Sequence, residues 1–248
     1  MTQEKQTQPE QAQSEQPRKI AVVTGATGGM GSEIAADLSR DHVVYALGRN
    51  QEGLDALAEC ANITPVQADL VAELLADDAQ PGTQLADVLG LDTVDVVVHA
   101  AAIAEKKSVD DAAPADWRKH FDINVFAAAE LTRQLLPALR KTEGDVIYIN
   151  SGAGHGGHPN NVVYAATKHA LYAVADCLRK DERDIRVTTV APGPTDTAML
   201  EGLMGDYNAE HMIAPAEVAR AVRSCVEAGP TTQFTELRVR PRIELADR

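Results

Sequence analysis

Tyr164 and Lys168 stand four positions apart in Tyr164-Ala165-Ala166-Thr167-Lys168, and Ser151 lies thirteen residues upstream. On a helix, an i,i+4 spacing puts the phenol and the ammonium on one face. A free tyrosine titrates near pH ~10 and is a poor proton donor or acceptor at neutrality. General acid–base catalysis works best with a pKa near the working pH, and a nearby cation favours the phenolate. Lowering a phenol by ~3 units takes roughly 4 kcal/mol of differential stabilisation. Taken alone, Tyr-x-x-x-Lys is equally an ordinary surface pair. Ser151 gives it company: it ends the run Asp145–Asn150, which reads as a buried strand. A hydroxyl there projects at the carboxyl end of a strand, where open α/β sheets bind ligands.

The elements that must position these groups alternate along the chain. Strand patterns fall at Lys19–Thr24, Val43–Gly48, Ile63–Gln67, Val94–His99, Asp145–Ser151 and Ile185–Pro192, with Glu236–Arg240 as a candidate last strand. Helical patterns fall at Gly29–Ser39, Gln51–Cys60, Pro114–Arg140, Val162–Lys180 and Pro215–Glu227. Leu70–Leu91 is weakly helical and broken by a solvated loop, Asp77-Asp78-Ala79-Gln80-Pro81-Gly82. Pro137 should bend or end its helix. Pro215, followed by Glu217, is a helix-start signal. Such alternation implies βαβ units: an α/β, Rossmann-type, doubly wound parallel sheet of about seven strands with helices on both faces, in a single domain over residues 18–248.

Between the first strand and the first helix lies Thr24-Gly25-Ala26-Thr27-Gly28-Gly29-Met30-Gly31. Glycines permit a tight turn and close backbone approach, and the helix N-terminus offers free N–H groups and a positive dipole end to a pyrophosphate. A glycine-rich turn is weak evidence alone; its place between strand and helix is the confirming context. Gly25, Thr27, Gly29, Met30 and Gly31 are the candidate dinucleotide contacts. The second strand distinguishes the two nicotinamide cofactors. A cofactor without a 2′-phosphate wants an acid at that strand's end, and Gly48-Arg49-Asn50 has none. Gly48 leaves room and Arg49 offers a bidentate cation suited to phosphate. The expected cofactor is NADP(H), with NAD(H) as the alternative. Asp69 and Leu70, after the third strand, are placed to contact the adenine, and Asp69 equally suits a helix N-cap.

These elements together resemble the classical short-chain dehydrogenases/reductases over about residues 18–240: Thr24-Gly25-x-x-x-Gly29-x-Gly31, Asp69, Asn124, Ser151, Tyr164-x-x-x-Lys168 and Pro192-Gly193, in that order. The resemblance implies a seven-stranded sheet and an Asn124, Ser151, Tyr164, Lys168 catalytic set. Tyr164 would be the acid/base at the substrate oxygen. Lys168 would bond the nicotinamide ribose and lower the Tyr164 pKa. Ser151 would hold the substrate oxygen, and Asn124 would position a water joining Lys168 to a proton relay. Without the resemblance, Asn124 is a tolerated polar residue in mid-helix. Pro192-Gly193-Pro194-Thr195-Asp196-Thr197 resembles the segment touching the nicotinamide carboxamide, with Thr195 and Thr197 as polar contacts. The chain departs from the family in two places. His99-Ala100-Ala101-Ala102 replaces a common Asn-Asn-Ala-Gly; Ala100 still allows close approach to the adenosine, and His99 reads as structural. Gly28 stands where NADP(H) members often carry a base, which leaves phosphate recognition to Arg49.

Composition bounds the rest. A net charge of −14 argues against nucleic acid and anionic membranes, while cofactor phosphates need only a local cation. Cys60, Cys177 and Cys225 are scattered and odd in number; they read as small buried residues in a reducing compartment, and a cytoplasmic location is expected. No apolar run approaches the ~18 residues of a membrane span. Residues 1–17 read as a disordered tail without a signal peptide's apolar region. His155 and His158 lack companions for a metal site; they line the substrate mouth or face solvent. Thr195–Ile213 reads as a lid with an apolar face at Ala198, Met199, Leu200, Leu203 and Met204, which suits a partly apolar carbonyl or alcohol and equally suits plain packing. Apolar excess on Phe121–Leu139 and Val163–Leu178 points to a homodimer or homotetramer. The readings that follow are an NADP(H)-dependent oxidoreductase, an NAD-preferring dehydrogenase, and a non-catalytic dinucleotide sensor on the same fold.

Overall fold

The computed structural model describes residues 18–76 and 85–243. The expected tail at 1–17 and the expected loop at Asp77–Gly82 lie outside the described residues. Seven parallel strands form one sheet in the order β3-β2-β1-β4-β5-β6-β7. They are β1 (Lys19–Thr24), β2 (His42–Gly48), β3 (Ile63–Gln67), β4 (Val96–His99), β5 (Asp145–Ile149), β6 (Arg186–Pro192) and β7 (Glu236–Val239). The order reverses between β1 and β4, which is the switch point where such sheets leave a crevice at their carboxyl ends.

Side chains alternate across this sheet with the period of two that a strand dictates. Ala21 and Val23 of β1, Val96 and Val98 of β4, and Ile147 and Ile149 of β5 face one core, shared with helices α1 (Gly29–Leu38) and α9 (Pro215–Val226). Val22, Val97, Val146 and Tyr148 face the other, shared with α6 (Ala127–Arg140) and α7 (Val162–Asp181). Covering both faces explains why the strands read as continuous apolar runs rather than alternating ones. The shorter helices are α2 (Gln51–Ala58), α3 (Leu70–Leu74), α4 (Leu85–Leu89), α5 (Pro114–Phe121) and α8 (Ala198–Met204).

Several expectations are corrected. The long helix expected over Pro114–Arg140 is two helices joined by a π-helical turn, Asp122–Phe126. Pro137 does not end α6, which runs on to Arg140. The fourth strand starts at Val96, because Asp95 turns its carboxylate to accept the Ile20 N–H at 2.7 Å. Ser151 lies beyond β5 rather than in it. Only Cys225 is buried; Cys60 and Cys177 are exposed. Among the described residues no helix is long and apolar enough to cross a membrane.

Candidate active site

The glycine turn is built so that only bare backbone fits. Gly25 has φ +64°, and a Cβ there would lie 2.7 Å from the Ala101 backbone. At Gly31 a Cβ would lie 2.1 Å from the Gly25 carbonyl oxygen. The turn closes on the Gly28 N–H, which donates to the Gly25 carbonyl at 2.9 Å. Thr24 Oγ1 accepts the Ala101 N–H at 3.2 Å, tying the end of β1 to the segment after β4 across the switch point. A cleft of about 320 Å³ opens over this turn.

Gly25, Thr27, Gly29, Met30, Gly31, Arg49, Asp69, Leu70, Ala100 and Thr197 all line that cleft. At the end of β2, Arg49 is exposed at the rim, and no carboxylate engages its guanidinium among the described residues. Gly48 does leave room, but for Thr27: a Cβ there would meet the Thr27 methyl at 2.7 Å. Asp69 is the N-cap of α3, accepting the Val71 and Ala72 N–H groups at 3.0 and 3.3 Å, while Glu73 accepts the Asp69 N–H at 2.9 Å. Capping holds Asp69 at the cleft wall, so the N-cap reading is the one observed.

Pro192, Gly193, Thr195, Tyr164 and Lys168 fall outside the cleft wall. Pro192 closes β6, and the Gly193 N–H donates to Val239 at 2.8 Å. Thr195 is buried and donates its hydroxyl to the Gly193 carbonyl at 3.0 Å, so it holds the turn. Thr197 caps α8, accepting the Leu200 N–H at 3.3 Å, and its methyl sits against Gly29, where a Cβ would meet it at 2.9 Å. The expected lid is thereby pinned at both ends: Thr195 bridges Ile213, and Tyr207 donates to Asp196 at 2.7 Å. None of the α8 residues is buried.

The catalytic candidates converge at the carboxyl end of β5. Lys168 is 2% exposed; its ammonium donates to the Ile149 carbonyl at 2.9 Å and lies 5.6 Å from the centroid of the Tyr164 ring. Burial lowers the Lys168 pKa to about 8. Burial raises the Tyr164 phenol above its ordinary value, and a hydrogen bond with the Ser151 side chain draws it part of the way back. The expected lowering by Lys168 is corrected: desolvation sets the direction, Ser151 alone opposes it, and the Lys168 ammonium is bonded to a carbonyl. Ser151 Oγ also accepts the Ala153 N–H at 3.2 Å, capping a short 3₁₀ turn, Gly152–Gly154.

Asn124 sits in the π-helical turn, fully engaged. Its side chain accepts the Ile103 N–H at 2.8 Å, donates to the Ile103 carbonyl at 2.9 Å, and donates to Thr167 Oγ1 at 3.1 Å. Ile103 lines the cleft and Thr167 precedes Lys168, so Asn124 links the cleft wall to α7.

Asn150 escaped the sequence reading. It is 3% exposed, and its amide accepts the Ser151 N–H at 2.9 Å while donating to the Lys168 carbonyl at 3.2 Å. One side chain thus fixes the spacing of Ser151 and Lys168. The available signal was an amide closing an apolar strand, since a buried amide must find partners. His99 is structural as expected: it bonds Thr132 Oγ1 at 2.8 Å, stacks on Tyr148 with centroids 4.9 Å apart, and is pushed by burial down to about 3. His155 bonds Glu236 at 2.7 Å, and His158 is exposed. Among the described residues no cluster of His, Cys, Asp and Glu could hold a metal ion.

Comparison with known proteins agrees with this architecture. The family model described as short chain dehydrogenase matches residues 19–208. An uncharacterized oxidoreductase of Staphylococcus epidermidis is 30% identical over 230 residues, covering 90% of this chain and 97% of the relative. The crystal structure of a putative short-chain dehydrogenase/reductase from Corynebacterium glutamicum shares 47% identity at a TM-score of 0.70, covering 90% of this chain and 100% of that one. A putative NAD(P)-dependent gluconate 5-dehydrogenase from Beutenbergia cavernae, solved with bound NADP, shares 27% identity at a TM-score of 0.78, covering 90% and 96%.

Proposed function

The chain belongs to the short-chain dehydrogenase family, and on that premise we propose that it is an NADP(H)-dependent oxidoreductase interconverting a small or medium, partly apolar carbonyl compound and its alcohol. The observation that carries the reading is the bonded run from Lys168 through Asn150 and Ser151 to Tyr164, with Asn124 bonded to Thr167 next to Lys168, in a chain whose glycine turn leaves no space for side chains at Gly25 and Gly31. NADP(H), when bound, supplies or accepts the hydride. The Gly25–Gly31 turn and the N-terminus of α1 suit its pyrophosphate, Arg49 its 2′-phosphate, and Asp69 and Leu70 its adenine end.

The remaining work belongs to the side chains. Ser151 holds the substrate oxygen at the Tyr164 phenol. Tyr164 passes its proton to that oxygen in reduction and takes it back in oxidation. Burial keeps the phenol protonated at neutral pH, which is the form reduction needs. Lys168, mostly cationic at neutrality with a pKa of about 8, steadies the phenolate formed when the proton leaves and reaches the nicotinamide ribose. Asn124 and Asn150 set the positions of these groups. The segment 195–213, with Met199 and Met204 36% and 45% exposed, closes over the substrate and excludes water. Apolar excess around α6 and α7, including the exposed Phe126, supports a homodimer or homotetramer, and the odd, unpaired cysteines suit the cytoplasm.

The test is consumption of NADPH, followed by absorbance, over a panel of aldehydes and ketones. Turnover is expected. Tight NADPH binding with no turnover across the panel contradicts the reading and favours a dinucleotide sensor. Arg49→Ala should weaken NADPH about 10–100-fold with little change for NADH, the worth of roughly 1.5–3 kcal/mol for a charged hydrogen bond. Equal affinities for the two cofactors in the parent protein would sink the role given to Arg49.

A further inference from the structure

We propose that Glu236 of β7 is a positioning residue for the reaction: through His155 and Tyr172 it holds the turn that aims the Ser151 hydroxyl, a role that rests on the oxidoreductase reading above. The need for such a hold starts in the sequence. Asn150 still bonds the sheet, its N–H donating to the Val190 carbonyl at 2.7 Å. Ser151 does not; its N–H goes to the Asn150 side chain at 2.9 Å. The chain that follows, Gly152-Ala153-Gly154-His155-Gly156-Gly157, has four glycines in six residues. Without a Cβ the backbone keeps many conformations open, so this stretch does not set its own shape. Yet the Ser151 hydroxyl depends on it. Ser151 Oγ accepts the Ala153 N–H at 3.2 Å, and the Ser151 carbonyl accepts the Gly154 N–H at 3.0 Å.

The hold is applied at the far end of the turn. His155 Nε2 bonds Glu236 Oε1 at 2.7 Å, and the same oxygen accepts from the Tyr172 hydroxyl at 2.8 Å and from Arg238 Nε at 2.7 Å. Burial opposes ionisation of Glu236, but the bonds from Arg238, Tyr172 and His155 hold its carboxyl down at about 2. The His155 side chain is 41% exposed, and a lone surface pair of that kind holds little. Here three donors converge on one oxygen, and the His155 and Tyr172 rings pack with centroids 4.2 Å apart. The period of two explains how Glu236 reaches this place: Leu237 and Val239 pack on the core shared with α1 and α9, which sends Glu236 to the α7 side. Helical spacing explains Tyr172, which stands four residues past Lys168 and eight past Tyr164 on one face of α7. Gly154 fits tightly between these groups. A Cβ there would lie 2.5 Å from the Tyr172 ring and 3.0 Å from Asn150 Oδ1. Ser151 is therefore tied to α7 on both sides. Asn150 ties it to the Lys168 carbonyl, and His155, Glu236 and Tyr172 tie the turn that follows it.

The experiment compares the parent protein with Glu236→Leu, Glu236→Gln and Tyr172→Phe, using NADPH and an aldehyde or ketone that the parent reduces. NADPH binding by fluorescence shows that each variant is folded. Tyr172→Phe keeps the ring on Gly154 and carries the test if Glu236→Leu does not fold. Glu236→Leu should lower kcat about tenfold, within what ~1 Å of misplacement can cost, and leave substrate KM and NADPH affinity within about twofold. Glu236→Gln, which keeps an oxygen for the three donors, should fall between, as should Tyr172→Phe. Amide exchange at Gly154 and His155, followed by NMR with NADPH present, should quicken about tenfold in Glu236→Leu as the turn opens locally. Unchanged kcat in Glu236→Leu and Tyr172→Phe overturns the proposal, as does unchanged exchange, or a loss of kcat matched by an equal loss of NADPH affinity. Each of these leaves the oxidoreductase reading in place. A parent protein that binds NADPH and reduces nothing on the panel overturns both.

Discussion

At the residue scale, the site is a set of buried and half-buried polar groups, and burial shifts the protonation of Tyr164 and Lys168. Tyr164 is pushed up and Lys168 down for the same reason: each disfavours its charged form where water is excluded. His99 shows the effect without catalysis. Its imidazole is held down to about 3 by burial against the ordinary 6.5, so the folded protein keeps it neutral while the unfolded chain takes up a proton below pH ~6.5. The sign follows: the unfolded state binds more protons in that window, so stability falls as the pH drops below ~6.5, by up to about 1.4 kcal/mol per pH unit from this group. In urea unfolding from pH 7 to 5, His99→Asn should flatten this slope. An unchanged slope would mean that His99 does not stay neutral.

At the scale of elements, the site depends on ends: the end of β1 at the glycine turn, the end of β5 at Asn150 and Ser151, and the start of α7. Asn150 spans the last two. Asn150→Ala leaves the Ser151 N–H without its acceptor, at a cost of roughly 1–3 kcal/mol for a buried group left unpaired, and takes from the Lys168 carbonyl the second donor it has beyond its helical one. It should lower kcat about 10–100-fold and shift the pH profile of the rate, with Asn150→Asp restoring the acceptor for Ser151 but not the donor for Lys168. Loss of thermal stability alone, with kcat and its pH profile intact, would reduce Asn150 to a packing role. The strands were legible because a sheet covered on both faces writes itself as apolar runs, and β3 was placed to the residue. The glycine turn was legible because its steric demand excludes every other residue at Gly25 and Gly31. What did not show was the π-helical turn at Asp122–Phe126, since one extra residue in a helix leaves the local apolar pattern intact. Asn150 did not show either, because its partners are a chain neighbour and a residue 18 positions away. The roles of Asn124 and Pro192-Gly193 came from the family resemblance and not from periodicity.

For the whole molecule, the two-faced sheet explains how an acidic chain supports a dinucleotide site: the crevice at the switch point is set by topology, and in the proposed reading phosphates need only the local features at Arg49 and the helix N-terminus. It also leaves apolar surface over. Phe126, 49% exposed, adjoins α6 and packs on Phe121 with centroids 5.9 Å apart. If the faces of α6 and α7 pair between copies, sedimentation at micromolar concentration should show a dimer or tetramer, and Phe126→Glu should shift it toward monomer. A parent protein that sediments as a monomer contradicts that assembly.

The central claim is that Tyr164 moves the proton that accompanies hydride transfer. Its most direct test is Tyr164→Phe, which removes one oxygen from the half-buried ring and leaves the cleft over the glycine turn untouched. Measured on a substrate that the parent protein turns over, the variant should lose at least 10²-fold in kcat, within the range for a missing general acid–base, while binding NADPH within about threefold of the parent. Full activity with that same substrate would contradict the account.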